Sequence, residues 1–353
     1  MKIRVPDYYD AFVCLAGQCP DTCCGPWDIV LDEATADAYR SLEGPLGDRI
    51  RASMVTIDGD PCIAVRNGRC ALLSEDGLCP IISQLGEEAL SITCRCHPRF
   101  TEIYGGLQET ALALSCPAAA KLLLERQEPL CFVTSTDDTP PEPNDLDGDL
   151  FFALLQSRDT AISLVQDRAL SMSDRLALLL EFAQRLDRAV EQQRWNVLHG
   201  LSALYSAPGY REDRLLRLRR LRSGGTMTRV RQLLLTMDPM TEEFPALLQE
   251  LEITSPDWHS VEAEQLTVYF LFRWWLKAAC DGYLWRQAAA AVVSVLTICS
   301  FARQTGDLQS SARLYSKEME HAQPNLTALR RAMDLPYFDR NELLKLLEVP
   351  HAV

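Results

Sequence analysis

The spacing of apolar residues changes character near residue 150. Beyond it, apolar side chains recur at three- and four-residue intervals, the period of a helix with one buried face. This predicts helices over 150–165, 174–193 (capped by Ser173), 216–221, 226–237, 263–280, 284–303 and 324–333. Asp339 is placed to cap a last helix through 347. Helices 263–280 and 284–303 are apolar on most faces, which places them at the centre of a core. The stretch 287–302 is too short to cross a membrane and carries Ser294, Thr297 and Ser300, so it reads as a buried helix. Before residue 150 the pattern is irregular. Short strands are predicted at 28–32, 64–65, 72–73 and 101–104, with a turn at Gly105-Gly106. Asp32 opens one helix as N-cap, and Pro117 occupies the first turn of another. Between the two regimes, 135–148 is rich in proline and acid and almost free of large apolar groups, the composition of a linker. The expectation is a mainly α chain. It has an irregular Cys-rich, metal-binding N-terminal domain with short strands (1–134), an acidic Pro-rich linker (135–149) and an α-helical domain (150–353).

Charge narrows the partners. The net charge of −14 is concentrated early: 1–134 carries 19 acidic against 11 basic residues, 135–150 carries six acidic and no basic ones, and 151–353 carries 24 of each. Nucleic-acid affinity comes largely from phosphate contacts, so nucleic acid is not expected as a partner. Cationic groups such as lysine side chains suit the charge better. No transmembrane segment is expected. Arginines 211, 214, 217, 219, 220 and 222, interleaved with leucines, either meet an acidic protein partner or anionic lipid heads, giving peripheral membrane association, or snorkel along an amphipathic helix. The N-terminus meets charge and proline before any apolar run, so no signal peptide is expected and the location is read as cytoplasmic.

Eleven of the thirteen cysteines precede residue 135. Cytosolic thiols stay reduced, and an odd total fits a disulfide framework poorly, so metal is favoured over disulfides. The spacing is Cys14-x4-Cys19-x3-Cys23-Cys24, then Cys70-x8-Cys79, Cys94-x-Cys96-His97-Pro98 and Ser115-Cys116-Pro117. Paired CxxC zinc knuckles and the bacterial ferredoxin run are absent, so spacing alone does not choose the metal. Cys280 and Cys299, in apolar helices, read as buried small hydrophobes, as do Cys62 and Cys131. No glycine-rich GxG loop, P-loop or HExxH occurs, which disfavours a Rossmann-type methyl or phosphate site.

These residues resemble the flagellin lysine-N-methylase family, within the wider CxxCxxCC-type zinc- or iron-chelating proteins. The likeness runs through Pro6-Asp-Tyr-Tyr-Asp-Ala-Phe12, Cys19-Pro-Asp-Thr-Cys-Cys24-Gly-Pro-Trp27, Cys70-Ala-Leu-Leu-Ser-Glu-Asp-Gly-Leu-Cys79-Pro, Cys94-Arg-Cys-His-Pro-Arg99, Leu114-Ser-Cys116-Pro, Tyr315-Ser-Lys-Glu-Met-Glu-His321 and Pro324-Asn325. The Cys14–Cys24 spacing is looser than the wider family's name, and Cys96 stands where an aromatic residue is expected. The resemblance implies S-adenosylmethionine-dependent methylation of flagellin lysine ε-amino groups with a [4Fe–4S] cluster. It implies Cys14, Cys19, Cys23, Cys24, Cys70, Cys79, Cys94 and Cys116 as metal ligands, in one site or two, since one cubane takes four thiolates.

The same strip near the C-terminus offers Glu318 or His321, three apart on a helix, as a base or cofactor contact, with Tyr315 beside them, against the plainer reading of a solvated face. Arg99 and Asn325 are candidate cofactor contacts. Trp27 either shields a cluster or is plain core, and Trp274-Trp275 reads as helix core rather than a methyl-lysine cage. The alternative to an enzyme is a zinc-stapled protein-binding module without activity.

Overall fold

A computed structural model of the chain describes residues 1–25, 27, 29–75, 77–222, 224–252 and 256–347. The chain is mainly helical with three small sheets. Helix Leu284–Thr305 is long and apolar enough to span a membrane, yet it is almost wholly buried inside the protein and forms the centre of the core. Helices Met172–Glu191, Ser260–Trp274 and Leu308–Glu320 pack around it. Trp274 and Trp275 are 1% and 0% exposed, so they are core.

The strands form where the sequence pattern is weakest. A four-stranded sheet runs in the order Arg99–Tyr104, Leu107–Leu112, Lys2–Pro6 and Phe132–Thr136. Three of these strands, Lys2–Pro6, Leu107–Leu112 and Phe132–Thr136, were not anticipated: Lys2–Pro6 pairs with residues more than a hundred positions away, and Leu107–Leu112 completes a hairpin with Arg99–Tyr104. Residues 72–73 form no strand: the Leu73 N–H bonds back to the Cys70 carbonyl at 3.0 Å, closing a turn. Helix Met172–Glu191 is capped by Ser171, not Ser173, whose hydroxyl instead donates to the Leu347 carbonyl at 2.8 Å. Asp32 and Asp339 cap helices as expected.

Two hydrophobic cores divide the chain unevenly. The smaller draws only on residues 29–94, including Ile29, Leu31, Tyr39, Ile50, Ile63 and Leu72, with Cys24, Cys79 and Cys94 packed against it. The larger gathers the C-terminal helices together with Tyr8, Tyr104, 111–114 and helix Pro117–Leu124. The four-stranded sheet thus belongs to the helical body. The acidic segment lies against it, with the Asp137 N–H bonded to the Met1 carbonyl at 3.1 Å and the Glu142 N–H to the Gly105 carbonyl at 3.1 Å.

The arginine run is paired inward. Arg211 meets Asp167, Arg214 meets Glu181, and Arg219 and Arg222 both meet Asp174; Arg217 pairs with Asp213 one turn away. Four of the six guanidiniums are therefore engaged by acids of the helical body, while the Arg217–Asp213 pair lies on the surface.

Candidate functional site

A cavity of about 800 Å³ opens where the small core meets the helical body. Each wall has a local cause. The Cys19–Cys24 loop is tied to the body by Asp21, whose carboxylate meets Arg313 and Lys317, each at 2.5 Å. Burial works against that carboxyl's ionisation, but hydrogen bonds from Lys317 and Arg313 hold it below the usual range. Gly25 follows the Cys23-Cys24 pair with φ +135°, and a Cβ there would sit 2.3 Å from the Gly68 carbonyl oxygen. Only glycine allows this approach. It brings the Cys24 carbonyl to the Cys70 N–H at 2.5 Å. Cys79 is the N-cap of helix Pro80–Leu85, and Cys116 the N-cap of helix Pro117–Leu124, each with proline at the first turn. Ser91, 1% exposed, caps the helix Ile92–Cys96 that carries Cys94. Asp32 accepts the Ile92 N–H at 3.1 Å and locks this turn to the small core.

The eight thiols named from the sequence part into two groups by their electrostatic influence on one another. Cys23, Cys24, Cys70, Cys79 and Cys94 form the first, and Cys14, Cys19 and Cys116 the second. Cys14 also acts on Cys23 and so lies between them. Cys23, Cys24, Cys79 and Cys94 line the cavity, as does Cys96. Burial pushes the Cys70 thiol up to about 12 and the Cys94 thiol up to about 11, and neighbouring thiolates add to both. The hydrogen bond with Cys23 holds Cys24 down, to about 7, while pushing Cys23 up. None of the thirteen cysteines is in a disulfide.

Aromatic rings line the same cavity. Trp27 stacks on His321 with ring centroids 4.3 Å apart and planes at 11°. His97 lies 5.7 Å from both rings, and Phe100 lies 5.4 Å from His321. Trp27 is therefore part of the cavity wall. Desolvation, then His97, Arg273 and Lys317, lower His321 to about 3; desolvation and Lys317 lower His97 to about 4. Both rings are neutral at physiological pH. His321 Nε2 meets Ser115 Oγ at 2.7 Å, and the Ser115 N–H donates to Ser316 Oγ at 2.9 Å. Ser316 in turn donates to Glu320 at 2.6 Å, whose carboxylate also takes Arg273 and the Tyr269 hydroxyl. This chain ties the wall to the Ser115-Cys116 motif.

The remaining residues named from the sequence take different places. Arg99 lines the cavity, donates to the Tyr9 hydroxyl at 3.1 Å and lies over the Phe12 ring. Asn325 lines it too, but its amide clamps the 238 loop: Nδ2 donates to the Asp238 carbonyl at 2.9 Å and Oδ1 accepts the Asp238 N–H at 3.3 Å. Glu318, wholly buried, lies one step behind the cavity and accepts the N–H groups of Met240 and Thr241 at 2.7 and 2.9 Å and the Thr241 hydroxyl at 2.6 Å. Burial raises its carboxyl despite these bonds. Tyr315 is buried away from the cavity, its hydroxyl 2.8 Å from Ser294 Oγ in the central helix. The sequence reading missed Phe100 and the loop Asp238-Pro239-Met240, all of which line the cavity. The Asp-Pro pair was a legible turn signal, but no chemical motif marked it.

Among the described residues no three His, Cys, Asp or Glu side chains stand together closely enough to hold a metal ion. The donor chemistry nonetheless suits a thiophilic cation. Thiols crowded where water is scarce resist ionisation because their thiolates would repel one another, and a bound cation removes that repulsion.

A thiol-lined, aromatic-walled cavity between the small core and a helical body is the candidate site. Over 138 residues the chain is 30% identical to the flagellar biosynthetic protein FliU of Salmonella muenchen, a match covering 35% of this chain and 78% of that protein. Over 150 residues it is 28% identical to proteins named lysine-N-methylase from Salmonella typhimurium and Salmonella choleraesuis, covering 38% of this chain but only 36% of each relative. No family model and no solved structure matches the chain. The chain belongs to the flagellin lysine-N-methylase family.

Proposed function

We propose that the protein transfers the methyl group of S-adenosylmethionine to lysine ε-amino groups of flagellin, in the cytoplasm before flagellin is exported. The observation that carries this is the convergence, on one cavity, of five thiols from three separate sequence motifs with the Trp27–His321 stack. The names of the relatives support the lysine and the flagellar context.

Three of Cys23, Cys24, Cys70, Cys79 and Cys94 would hold an iron–sulfur cluster, the other two supporting it, with Cys14, Cys19 and Cys116 as a second set of thiols. Such a cluster supplies an iron position that can take the polar end of the methyl donor. The chain's own residues do the rest. The face of Trp27 and the neutral rings of His97 and His321 attract a sulfonium or an ammonium through their π-systems without opposing it by charge. Methyl transfer needs a neutral amine. The Nζ lone pair attacks the methyl carbon, the N–C bond forms, the C–S bond breaks, and its electron pair stays on sulfur as the donor becomes a thioether. The amine proton leaves to water, because imidazoles at about 3 and 4 are too acidic to keep it. The low dielectric of the aromatic wall eases deprotonation of a lysine whose free pKa is about 10.4.

The test is transfer of labelled methyl groups from S-adenosylmethionine to purified flagellin by protein prepared without oxygen, read by mass spectrometry of flagellin lysines. Methylated lysine is expected, and it should fall at least tenfold in His321→Ala, which removes the stack on Trp27. Unmodified flagellin after incubation with wild-type protein that holds its metal contradicts the proposal.

A further inference from the structure

We propose that Asp238 is the residue that selects the incoming lysine, by pairing its carboxylate with the substrate ammonium at the mouth of the cavity; this rests on the lysine methylation proposed above. Among the described residues lining the cavity, Asp238 carries the sole carboxylate. The sole full cation there, Arg99, is engaged by Tyr9 and packed over Phe12. Asp238 is exposed, and its carboxylate makes no hydrogen bond or ion pair with the described residues; its hydrogen bonds to Asn325 all use backbone atoms.

The loop that presents Asp238 is fixed with unusual care. Asn325, 4% exposed, brackets the Asp238 peptide groups on both sides and anchors itself to the Glu318 carbonyl at 3.0 Å. Glu318, 0% exposed, gathers the next two N–H groups of the loop and the Thr241 hydroxyl. Burying a carboxylate is unfavourable unless its bonds are needed. Here they order a segment whose contribution to the cavity is Asp238, Pro239 and Met240. A preorganised carboxylate beside an aromatic wall suits an alkylammonium, which presents charge at its tip and methylenes along its stem. The thiols come from Cys23, Cys24, Cys79 and Cys94 and the carboxylate from the 238 loop, so the methyl donor's polar end and the lysine ammonium would be received by different groups. Asp238 is a specificity-determining residue, and Glu318 and Asn325 are positioning residues acting through it.

Calorimetric titration of anaerobically prepared protein tests this with two peptides: one flagellin peptide with a single lysine, and the same peptide with norleucine in its place. Wild-type protein should prefer the lysine peptide by about tenfold, the scale of one partly screened ion pair, and the preference should shrink with added salt. Asp238→Asn should abolish the preference, Asp238→Glu should keep most of it, and S-adenosylmethionine affinity should be unchanged in both. Equal binding of the two peptides by wild type, a preference that survives Asp238→Asn, or a loss of S-adenosylmethionine binding instead, overturns the proposal. The readout is separable from methylation. Lysine preference without any methyl transfer keeps Asp238 and defeats the proposed function, whereas methyl transfer with a preference indifferent to Asp238→Asn does the reverse.

Discussion

At the residue scale, the most telling positions are those whose environment contradicts their usual chemistry. Asp187 is one. Burial raises its carboxyl from 3.8 to about 6, helped by Glu191 and Asp334 and opposed by the Trp285 N–H that it accepts at 2.8 Å. A raised acid favours the folded state only while it stays protonated, so this group removes stability as pH rises from about 4 to about 6. Asp187→Asn keeps an acceptor for Trp285 and removes the penalty. After discounting for partial solvent screening, the variant should be about 1 kcal/mol more stable than wild type at pH 7.5. The advantage should vanish below pH 4; thermal unfolding at both pH values reads this, and an Asn variant less stable at pH 7.5 contradicts it. At the same scale, Cys23, Cys24, Cys79, Cys94, His321 and Arg99, marked by motif in the sequence, all line the cavity. Glu318 and Asn325 were legible as special but not in role: their side chains act on a loop that is remote in sequence. Asp238 was invisible, since a lone aspartate before proline reads as a turn.

At the scale of elements, helices were readable and strands were not. Local periodicity and capping residues announce a helix such as Pro117–Leu124, whereas strand Lys2–Pro6 acquires its identity from Leu107–Leu112 and Phe132–Thr136. The sheet is bound to the helical body by one buried pair. Arg158, on helix Gly148–Val165, donates Nη1 to Glu109 at 2.7 Å and to the Phe272 carbonyl at 3.1 Å, and both charged residues are below 5% exposed. Glu109→Leu leaves a guanidinium buried without its counter-ion and should cost about 3–5 kcal/mol in urea unfolding. Adding Arg158→Met should recover most of that loss, because an apolar pair needs no compensation. A double variant as unstable as the single one would show that the pair contributes more than mutual neutralisation.

At the scale of the whole molecule, two cores meet at the cavity. The small one, from residues 29–94, carries Cys70 in its interior and packs Cys24, Cys79 and Cys94 against it, and the large one brings His321, Asn325 and the Asp238 loop. The Asp21 ion pairs with Arg313 and Lys317 fasten the thiol loop across that seam. Composition and motif were enough to anticipate a Cys-rich part and a helical part. They did not show that the sheet joins the helical body, because the apolar faces of short strands carry no address for the core they enter. Thiols distant in sequence gather at this seam, and we propose that they take up a metal there. The most direct test is iron and acid-labile sulfide per chain in protein purified without oxygen. The account predicts that wild type carries both, and that Cys94→Ser and Gly25→Ala, whose new Cβ would strike the Gly68 carbonyl, lose most of them. Wild-type protein that is colourless and holds zinc alone, or no metal, would contradict it.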